Sequence, residues 1–357
     1  MALKIENEDG FLIDTKTYFN SILPKNGCVS GINENLFKIF TPYSTKNISK
    51  RKKSLKKQDN ETKQNENESI YCDFKSEVQT VKEKYLKFTS YLRKRGFFQE
   101  REAVQIKNIL ALETAEKVYF ESGKNIIKDT TGCNYGPATV QTLDSSKFLF
   151  PENCKFYSKD ISNIETHLKD TKFDVILLDP PWWNKYIRRK RKKSSEAYNM
   201  MYNTDLETIP IENLLKDDGL VVVWCTNSLQ HLNYLTENIF QKWGVKYVSK
   251  WYWVKVTMSG EPVCKFSEPP GKQPFEQIIF ACKNPEKNPI PESGKLLISI
   301  PSAIHSHKPP LIDVIRPYMQ ENATCLEIFA RYLLPEWTSY GNEVLRFQHE
   351  SLYDFKQ

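Results

Sequence analysis

The feature that most limits what this chain can become is an apolar run, residues 173–178, that stops abruptly at Asp179-Pro180-Pro181-Trp182. A continuous Phe/Val/Ile/Leu run of this length suits a strand buried on both faces of a parallel sheet. In open α/β sheets the ligand crevice lies beyond the carboxyl ends of such strands, which is where the tetrapeptide sits. Two consecutive prolines fix φ and remove two donors, so the Pro180 carbonyl is held as an acceptor. A carboxylate, a rigid carbonyl and an aromatic plane on one short loop suit a flat heterocycle with an exocyclic amine. The two acceptors take its N–H groups and Trp182 covers its face. The competing reading is a strand-ending turn whose Trp caps the core.

Strand and helix patterns alternate around this run. Further strands are expected over 219–225, 246–256, 277–282, 296–300 and 324–329, with helices over 228–243 and 311–319, the second behind Pro309-Pro310. Such alternation predicts an α/β fold, a mixed and mostly parallel sheet with helices on both faces and right-handed crossovers. The 357 residues suffice for one such domain and a smaller one, and we place the division at 135/136. Residues 1–43 mix short apolar pieces with turn residues and read as an arm that packs on something larger. Residues 46–69, dominated by Lys, Asn, Gln, Glu and Ser, offer little to bury and read as a disordered linker. Val78, Val81, Tyr85, Phe88 and Leu92 recur at helical spacing until Gly96; Val104, Ile106, Ile109, Leu110 and Leu112 do so again towards Phe120. The amino-terminal domain is therefore expected to be mainly helical.

Composition narrows the partners. A net charge of +7 and 13% aromatic residues suit a phosphate backbone and unpaired bases, although a solvated lysine excess would look the same. Lys50-Arg51-Lys52-Lys53 with Lys56-Lys57 has the composition of a nuclear localisation signal or of a solvated charge run. Arg188, Arg189, Lys190, Arg191, Lys192 and Lys193 put six consecutive positive charges just after the Asp179 loop, suited to a nucleic-acid backbone, to a second localisation signal or to a loop tip. Tyr198 and Tyr202 follow as candidates to close over a base, with loop packing as the alternative. No apolar run approaches the roughly 18 to 20 residues needed to cross a bilayer, and the start has no signal-peptide core, so a soluble intracellular protein with no membrane partner is expected. Eight scattered cysteines without Cys-x-x-Cys spacing argue against a zinc site or a disulfide framework, and no metal is expected. Neither Gly-x-Gly-x-x-Gly nor a P-loop occurs.

Three more stretches have unusual polar content: Asp160-Ile161, Ser306-His307-Lys308-Pro309-Pro310, and Glu327-Ile328-Phe329-Ala330-Arg331 with Gly341-Asn342-Glu343. Singly, each reads as a helix-start lysine, an ion pair or turn chemistry. In this order after Asp-Pro-Pro-Trp, with the runs LLDPPW, HSHKPP, FAR and EWTSYGNEVLRFQH, the chain from about Cys154 onward resembles the S-adenosylmethionine-dependent adenine N6-methyltransferases. The resemblance implies a Rossmann-like methyltransferase domain in permuted order, the catalytic loop preceding the strand that ends at Phe329 and contacts the methyl donor.

It also implies S-adenosylmethionine as cofactor, S-adenosylhomocysteine as product, and a role for each site residue. Asp179 and the Pro180 carbonyl would accept the adenine amine, Pro181 would stiffen their loop and Trp182 would stack on the base, with Asp179 also bordering the donor. Asp160 and Ile161 would contact the adenine of the cofactor, and Lys308, with Ser306 and His307 in its motif, would face the methionine carboxylate. Arg331 with Glu327, and Asn342 with Glu343, would hold the ribose hydroxyls. The chain departs from the family pattern at Tyr332, where relatives often carry Asn, and at Trp183, where they carry a polar residue. The implied activity is adenine N6-methylation of RNA, at an internal 2′-O-methyladenosine of U2 small nuclear RNA. Adenine in DNA and a catalytically silent nucleic-acid-binding subunit are the alternatives. A nuclear enzyme active as a monomer is expected, with a cytoplasmic pool as the alternative location.

Overall fold

The computed structural model describes residues 2–43, 61–99, 107–124, 126–183, 200–287 and 289–356. Its centre is a sheet of eleven strands. In chain order these are β1 (Leu3–Asn7), β2 (Gly10–Ile13), β4 (Thr130–Asn134), β7 (Cys154–Ser158), β8 (Phe173–Leu178), β9 (Leu215–Cys225), β10 (Lys246–Lys255), β11 (Phe275–Cys282), β12 (Leu296–Ser299), β13 (Cys325–Ile328) and β14 (Trp337–Tyr340). The remaining described strands are β3 (Val29–Ile32) paired with β15 (Tyr353–Phe355), and the hairpin β5 (Thr139–Leu143) and β6 (Ser146–Phe150). Across the large sheet the order is β1-β2-β12-β10-β11-β9-β8-β13-β14-β7-β4. From β9 through β8, β13 and β14 to β7 every pairing is parallel, and β1, β11 and β4 run against their neighbours. This is the mixed, mostly parallel α/β architecture expected of a Rossmann-like methyltransferase domain.

The central strands are apolar throughout because both faces are buried. Val175 and Leu177 of β8 join one core cluster, while Phe173, Ile176 and Leu178 join the other. Helix α1 (Thr15–Ser21) and α3 (Ile109–Lys124) contribute Phe19, Ala115 and Val118 to the first; the helical stretch from Leu229 contributes Leu235, Ile239 and Phe240 to the second. That stretch is not one regular helix. It passes from α (Leu229–Tyr234) through a π turn (Leu235–Ile239) back to α (Phe240–Lys242), which keeps Leu235, Ile239 and Trp243 on the core side. The helix expected over 311–319 is shorter, Ile312–Ile315 followed by a 3-10 turn, because Pro317 has no N–H to continue an α ladder.

Both sides of the expected division at 135/136 meet in this sheet. Strand β2 pairs with β12 in parallel and β4 pairs antiparallel with β7, so residues 3–13 and 130–134 are edge strands of the catalytic sheet. Helix α2 (Glu61–Lys94) lays Val78, Val81, Tyr85, Phe88 and Leu92 against Tyr252, Val254, Leu296 and Ile298, as their spacing predicts.

Two expectations need correction. Part of the supposed linker, from Glu61 onward, belongs to α2, and Glu, Gln and Lys are good helix formers, so a polar composition does not oppose a helix there. Residues 46–60, with the basic cluster Lys50 to Lys57, lie outside the described residues. In α3 the buried face is Ala111, Ala115, Val118 and Ser122, while Ile109, Leu110 and Leu112 are exposed. Small residues let this helix approach closely, so its packing stripe does not coincide with its most apolar positions; Val104 and Ile106 lie outside the described residues. Among the described residues, no helix is long and apolar enough to cross a membrane.

The junction of the amino-terminal strands with the sheet rests on one close approach. Gly10 has φ +149°, and a Cβ there would lie 2.0 Å from the Leu296 carbonyl oxygen. Gly10→Ala is expected to destabilise the protein by about 3 kcal/mol through strain and overpacking. Chemical denaturation checks this; an unchanged midpoint would show that the β2–β12 junction yields without loss.

Candidate active site

The site lies where chain direction across the sheet reverses. From β8 the chain moves to its neighbour β9 on one side, and from β13 to its neighbour β14 on the other, so the carboxyl ends of β8 and β13 border a crevice. Asp179, at the end of β8, donates its backbone N–H to the Ile328 carbonyl at the end of β13 (3.4 Å). Phe329 then takes a left-handed conformation, φ 63°, turning the chain so that Arg331 comes back towards Asp179. The ends of β13 and β14 approach so closely that a Cβ on Gly341 would sit 3.2 Å from the Phe329 Cα. This places Asn342 and Glu343 at the same rim.

Asp179 is gripped by two cations: Lys308 Nζ lies 3.3 Å from Oδ1, and Arg331 Nη1 lies 3.4 Å from Oδ2. Both contacts are long, and a carboxylate has about four lone-pair sites, so acceptor capacity is left over. The chain of charges continues in both directions. Lys308 also pairs with Glu276, which pairs with Lys255; Arg331 Nε pairs with Glu343 (3.0 Å), which pairs with Arg346. Burial acts against the Lys308 ammonium, but Asp179 and Glu276 outweigh it and hold its pKa above the ordinary lysine value. For Glu276 burial would raise the pKa; Lys255 and Lys308 overcome it and hold the carboxyl below the usual carboxylate range. The Lys308 ammonium also lies 4.9 Å from the centre of the Trp224 ring.

The rigid loop itself is closed by short bonds. The Pro180 carbonyl accepts the Trp182 N–H at 2.8 Å, and the Pro181 carbonyl accepts the Met201 N–H at 3.0 Å. One lone pair of the Pro180 oxygen remains open, so it keeps its capacity as an acceptor beside Asp179.

Trp182 differs from the open plate expected of it. It is 5% exposed, its indole N–H donates to the Trp224 carbonyl (2.8 Å), and its ring rests 5.2 Å from that of His231. Burying an indole requires a partner for its N–H, and the neighbouring strand supplies one. Among the described residues near this loop, Tyr202 turns an aromatic face to solvent, 60% exposed and stacked on Trp183 at 6.4 Å and 19°. His231 ties this region together, its Nε2 contacting the Trp183 carbonyl (2.9 Å) and its Nδ1 the Asn203 side chain (2.8 Å). Tyr198 and the six basic residues Arg188, Arg189, Lys190, Arg191, Lys192 and Lys193 lie outside the described residues.

The other expected residues divide in two. Asp160, at the end of β7, caps the turn Ile161–Asn163: its Oδ1 accepts the Ser162 N–H (3.0 Å) and its Oδ2 accepts from Asn342 (3.2 Å). These bonds to Ser162, and then the one to Asn342, lower its pKa. Asp160, Ile161, Asn342 and Glu343 therefore share one rim. His307 does not join them. It is buried among Phe19, Tyr332 and Phe347 at ring separations of 4.9, 5.9 and 4.8 Å, and among the described residues neither ring nitrogen has a hydrogen-bond partner. Burial pushes its pKa down to about 3, so it is a neutral core residue whose position helps aim Lys308. Ser306, at φ 63°, makes the turn into this pair. Tyr332 is likewise core, edge-on to Phe19.

Sequence reasoning missed Glu276, Lys255, Trp224, His231 and Arg346. Glu276 had a visible signal: a carboxylate beside Phe275 and ahead of the apolar Ile278-Ile279-Phe280 of an otherwise buried strand. Among the described residues no group of three or more His, Cys, Asp or Glu could hold a metal ion.

Glu327, buried beneath Asp179 with its Oε2 unpartnered, has its pKa raised to about 8 by burial and by the Asp179 charge, against the pull of Arg331. The folded protein thus keeps a proton there that the unfolded chain releases near the ordinary value of 4.5. This contribution to stability is complete below the unfolded value and is lost as pH rises towards the folded one, at up to about 1.4 kcal/mol per pH unit. Glu327→Gln is expected to flatten the decline in unfolding free energy from acid to slightly alkaline pH. Parallel curves for the two proteins would show that Glu327 does not titrate in this window.

Residues 173–343 match the MT-A70 family. The N(6)-adenine-specific methyltransferase METTL4 of Mus musculus is 40% identical over 220 residues, 58% of this chain and 45% of that protein. The DNA N6-methyl methyltransferase of Caenorhabditis elegans is 32% identical over 252 residues, 69% of this chain and 67% of that protein. The N6-methyladenosine RNA methyltransferase MTA1 of Pyricularia oryzae is 31% identical over 252 residues, 66% of this chain and 65% of that protein. The chain spans less than half the length of the mouse relative and about two thirds of the nematode one. With the match beginning at the first residue of β8 and ending at Glu343, the last site residue on the rim, the chain belongs to the MT-A70 family.

Proposed function

We propose that this protein transfers a methyl group from S-adenosylmethionine to the N6 amine of adenine in a nucleic acid. The observation that carries the reading is the Asp179 carboxylate at the reversal point of the sheet, beside a rigid Pro180 carbonyl and between two cations. The donor set fits an adenosine with an amino-acid tail. Asp160, Ile161, Asn342 and Glu343 make a polar rim for a nucleoside, the unpartnered Glu327 oxygen lies behind it, and Lys308 offers a cation to a carboxylate. When bound, S-adenosylmethionine supplies an electrophilic methyl group on a sulfonium.

The protein's own contribution is positional and electrostatic. An adenine amine is a poor nucleophile because its lone pair is conjugated with the ring. Asp179 and the Pro180 carbonyl accept its two N–H groups, align the nitrogen and stabilise the positive charge that develops there. Lys308 and Arg331 hold the Asp179 carboxylate in place from two sides. Trp182 walls the site from behind, and Tyr202 on Trp183 offers the face against which a base drawn from its stack can rest.

RNA is the substrate we favour, in particular an internal 2′-O-methyladenosine of U2 small nuclear RNA in the nucleus, on the likeness to the METTL4 proteins. The nematode relative, whose name specifies DNA, supports adenine in DNA as the second reading. We take the enzyme to act as a monomer, with the amino-terminal strands and helices bracing the catalytic sheet.

Asp179→Ala is expected to lower transfer to an adenine oligonucleotide by at least about 100-fold, the scale of losing one preorganised acceptor, while S-adenosylhomocysteine still binds. Substantial residual transfer would sink the assignment. Matched RNA, 2′-O-methylated RNA and single-stranded DNA oligonucleotides compared in the same assay decide the polymer; preference for DNA overturns the RNA reading. Replacing Arg188 to Lys193 with Ser is expected to weaken binding regardless of sequence. The slope of log affinity against log salt should flatten by about 0.7 for each phosphate no longer neutralised, whereas an unchanged slope assigns these residues another task.

A further inference from the structure

Helix α3 belongs to the amino-terminal segment, yet it touches the site through one side chain. Arg346, 7% exposed, lays its guanidinium over the Tyr119 ring of α3 at 3.9 Å and donates from Nη2 to the Tyr119 carbonyl at 3.4 Å. Its Nη1 bonds Glu343, whose other oxygen holds Arg331 Nε at 3.0 Å, and Arg331 in turn reaches Asp179. Among the described residues the Arg346 Nε has no partner, and the guanidinium is held from two sides, by Glu343 and by Tyr119. Gly123, one turn further along α3, leaves the room it occupies: a Cβ there would lie 3.2 Å from Nη2. Tyr119, Arg331, Glu343 and Arg346 also line one crevice with His305 and Ser306.

We infer that α3 is a positioning element for the cofactor, with Tyr119 and Arg346 setting the placement of Glu343 and Arg331. The physical reason lies in the charges. Glu343 sits between two guanidinium groups, and its position follows whichever is held more firmly. Arg331 is drawn to Asp179 as well as to Glu343. If Arg346 were free to move, Glu343 would follow Arg331 towards Asp179 and leave the rim it shares with Asn342. The aromatic face fixes Arg346 without competing for its hydrogen bonds, since a cation over a ring uses the ring and not a lone pair of Glu343. Asn108 anchors the start of the same helix, accepting from the Phe40 and Thr41 N–H groups at 2.8 and 3.0 Å. Ala115 and Val118 seat it in the core. The helix is thus docked independently of Arg346, and can act as a fixed support for it.

The inference rests on the reading that this crevice takes S-adenosylmethionine, and its test is binding of S-adenosylhomocysteine by calorimetry alongside steady-state kinetics. Tyr119→Ala is expected to weaken binding by about tenfold, the scale of a desolvated cation–ring contact, with KM for the donor rising by a similar factor and kcat changing far less. Tyr119→Phe, which keeps the ring, restores wild-type binding. Gly123→Ala, which favours helix but crowds the guanidinium, shifts affinity in the same direction as Tyr119→Ala while the protein melts no earlier. Unchanged affinity in Tyr119→Ala, or equal weakening in Tyr119→Phe, overturns the role of α3. A wild-type protein that binds no S-adenosylhomocysteine overturns the functional reading itself, and this inference with it.

Discussion

Seven charged side chains run across one end of the central sheet in alternating sign: Lys255, Glu276, Lys308, Asp179, Arg331, Glu343 and Arg346. Their side chains are between 6% and 26% exposed, so none is fully hydrated. A charge in that position is tolerable only when its neighbours compensate it, and breaking one pair strands the next. The site therefore behaves as a unit, with Asp179 at its middle. Four cations and three anions leave one net positive charge along the row.

The fold exists to bring that row together. Its members come from the ends of β8, β10 and β11, from the segment before β13, and from the two turns after β13 and β14. Only a sheet that orders β10, β11, β9, β8, β13 and β14 side by side assembles them. Apolar residues on both faces of β8 and β9 hold that order, and the amino-terminal strands β1 and β2 extend it at the far edge through β12. Behind the row, His307 and Tyr332 pack with Phe19 of α1, so even the rear wall of the site includes a residue from the amino-terminal arm.

Much of this was legible in the linear chain. The run 173–178 and its Asp-Pro-Pro-Trp ending declare a buried strand with chemistry at its carboxyl end, and the later strands recur where their apolar runs lie. The buried stripe of α2 follows from Val78, Val81, Tyr85, Phe88 and Leu92. Where periodicity misled, the cause is specific: the exposed Ile109, Leu110 and Leu112 outrank Ala111 and Ala115 in hydrophobicity, but small side chains set the closest approach of α3. Similarly, polar composition from Glu61 onward speaks to burial and not to helix formation.

The sequence alone determined the fold class, the position of the Asp179 loop at the end of a buried strand and the polar residue types of the site, because these depend on local pattern and backbone chemistry. Tertiary structure decided which of those residues meet. Arg331 and Asp179 are 152 positions apart, and Lys308 and Glu276 are 32 apart. It also decided that Trp182 and His307 turn into the core while Tyr202 faces solvent. Strand order and side-chain burial are properties of the packed sheet, and a local pattern holds no record of which distant partner will compensate a charge or accept an indole N–H.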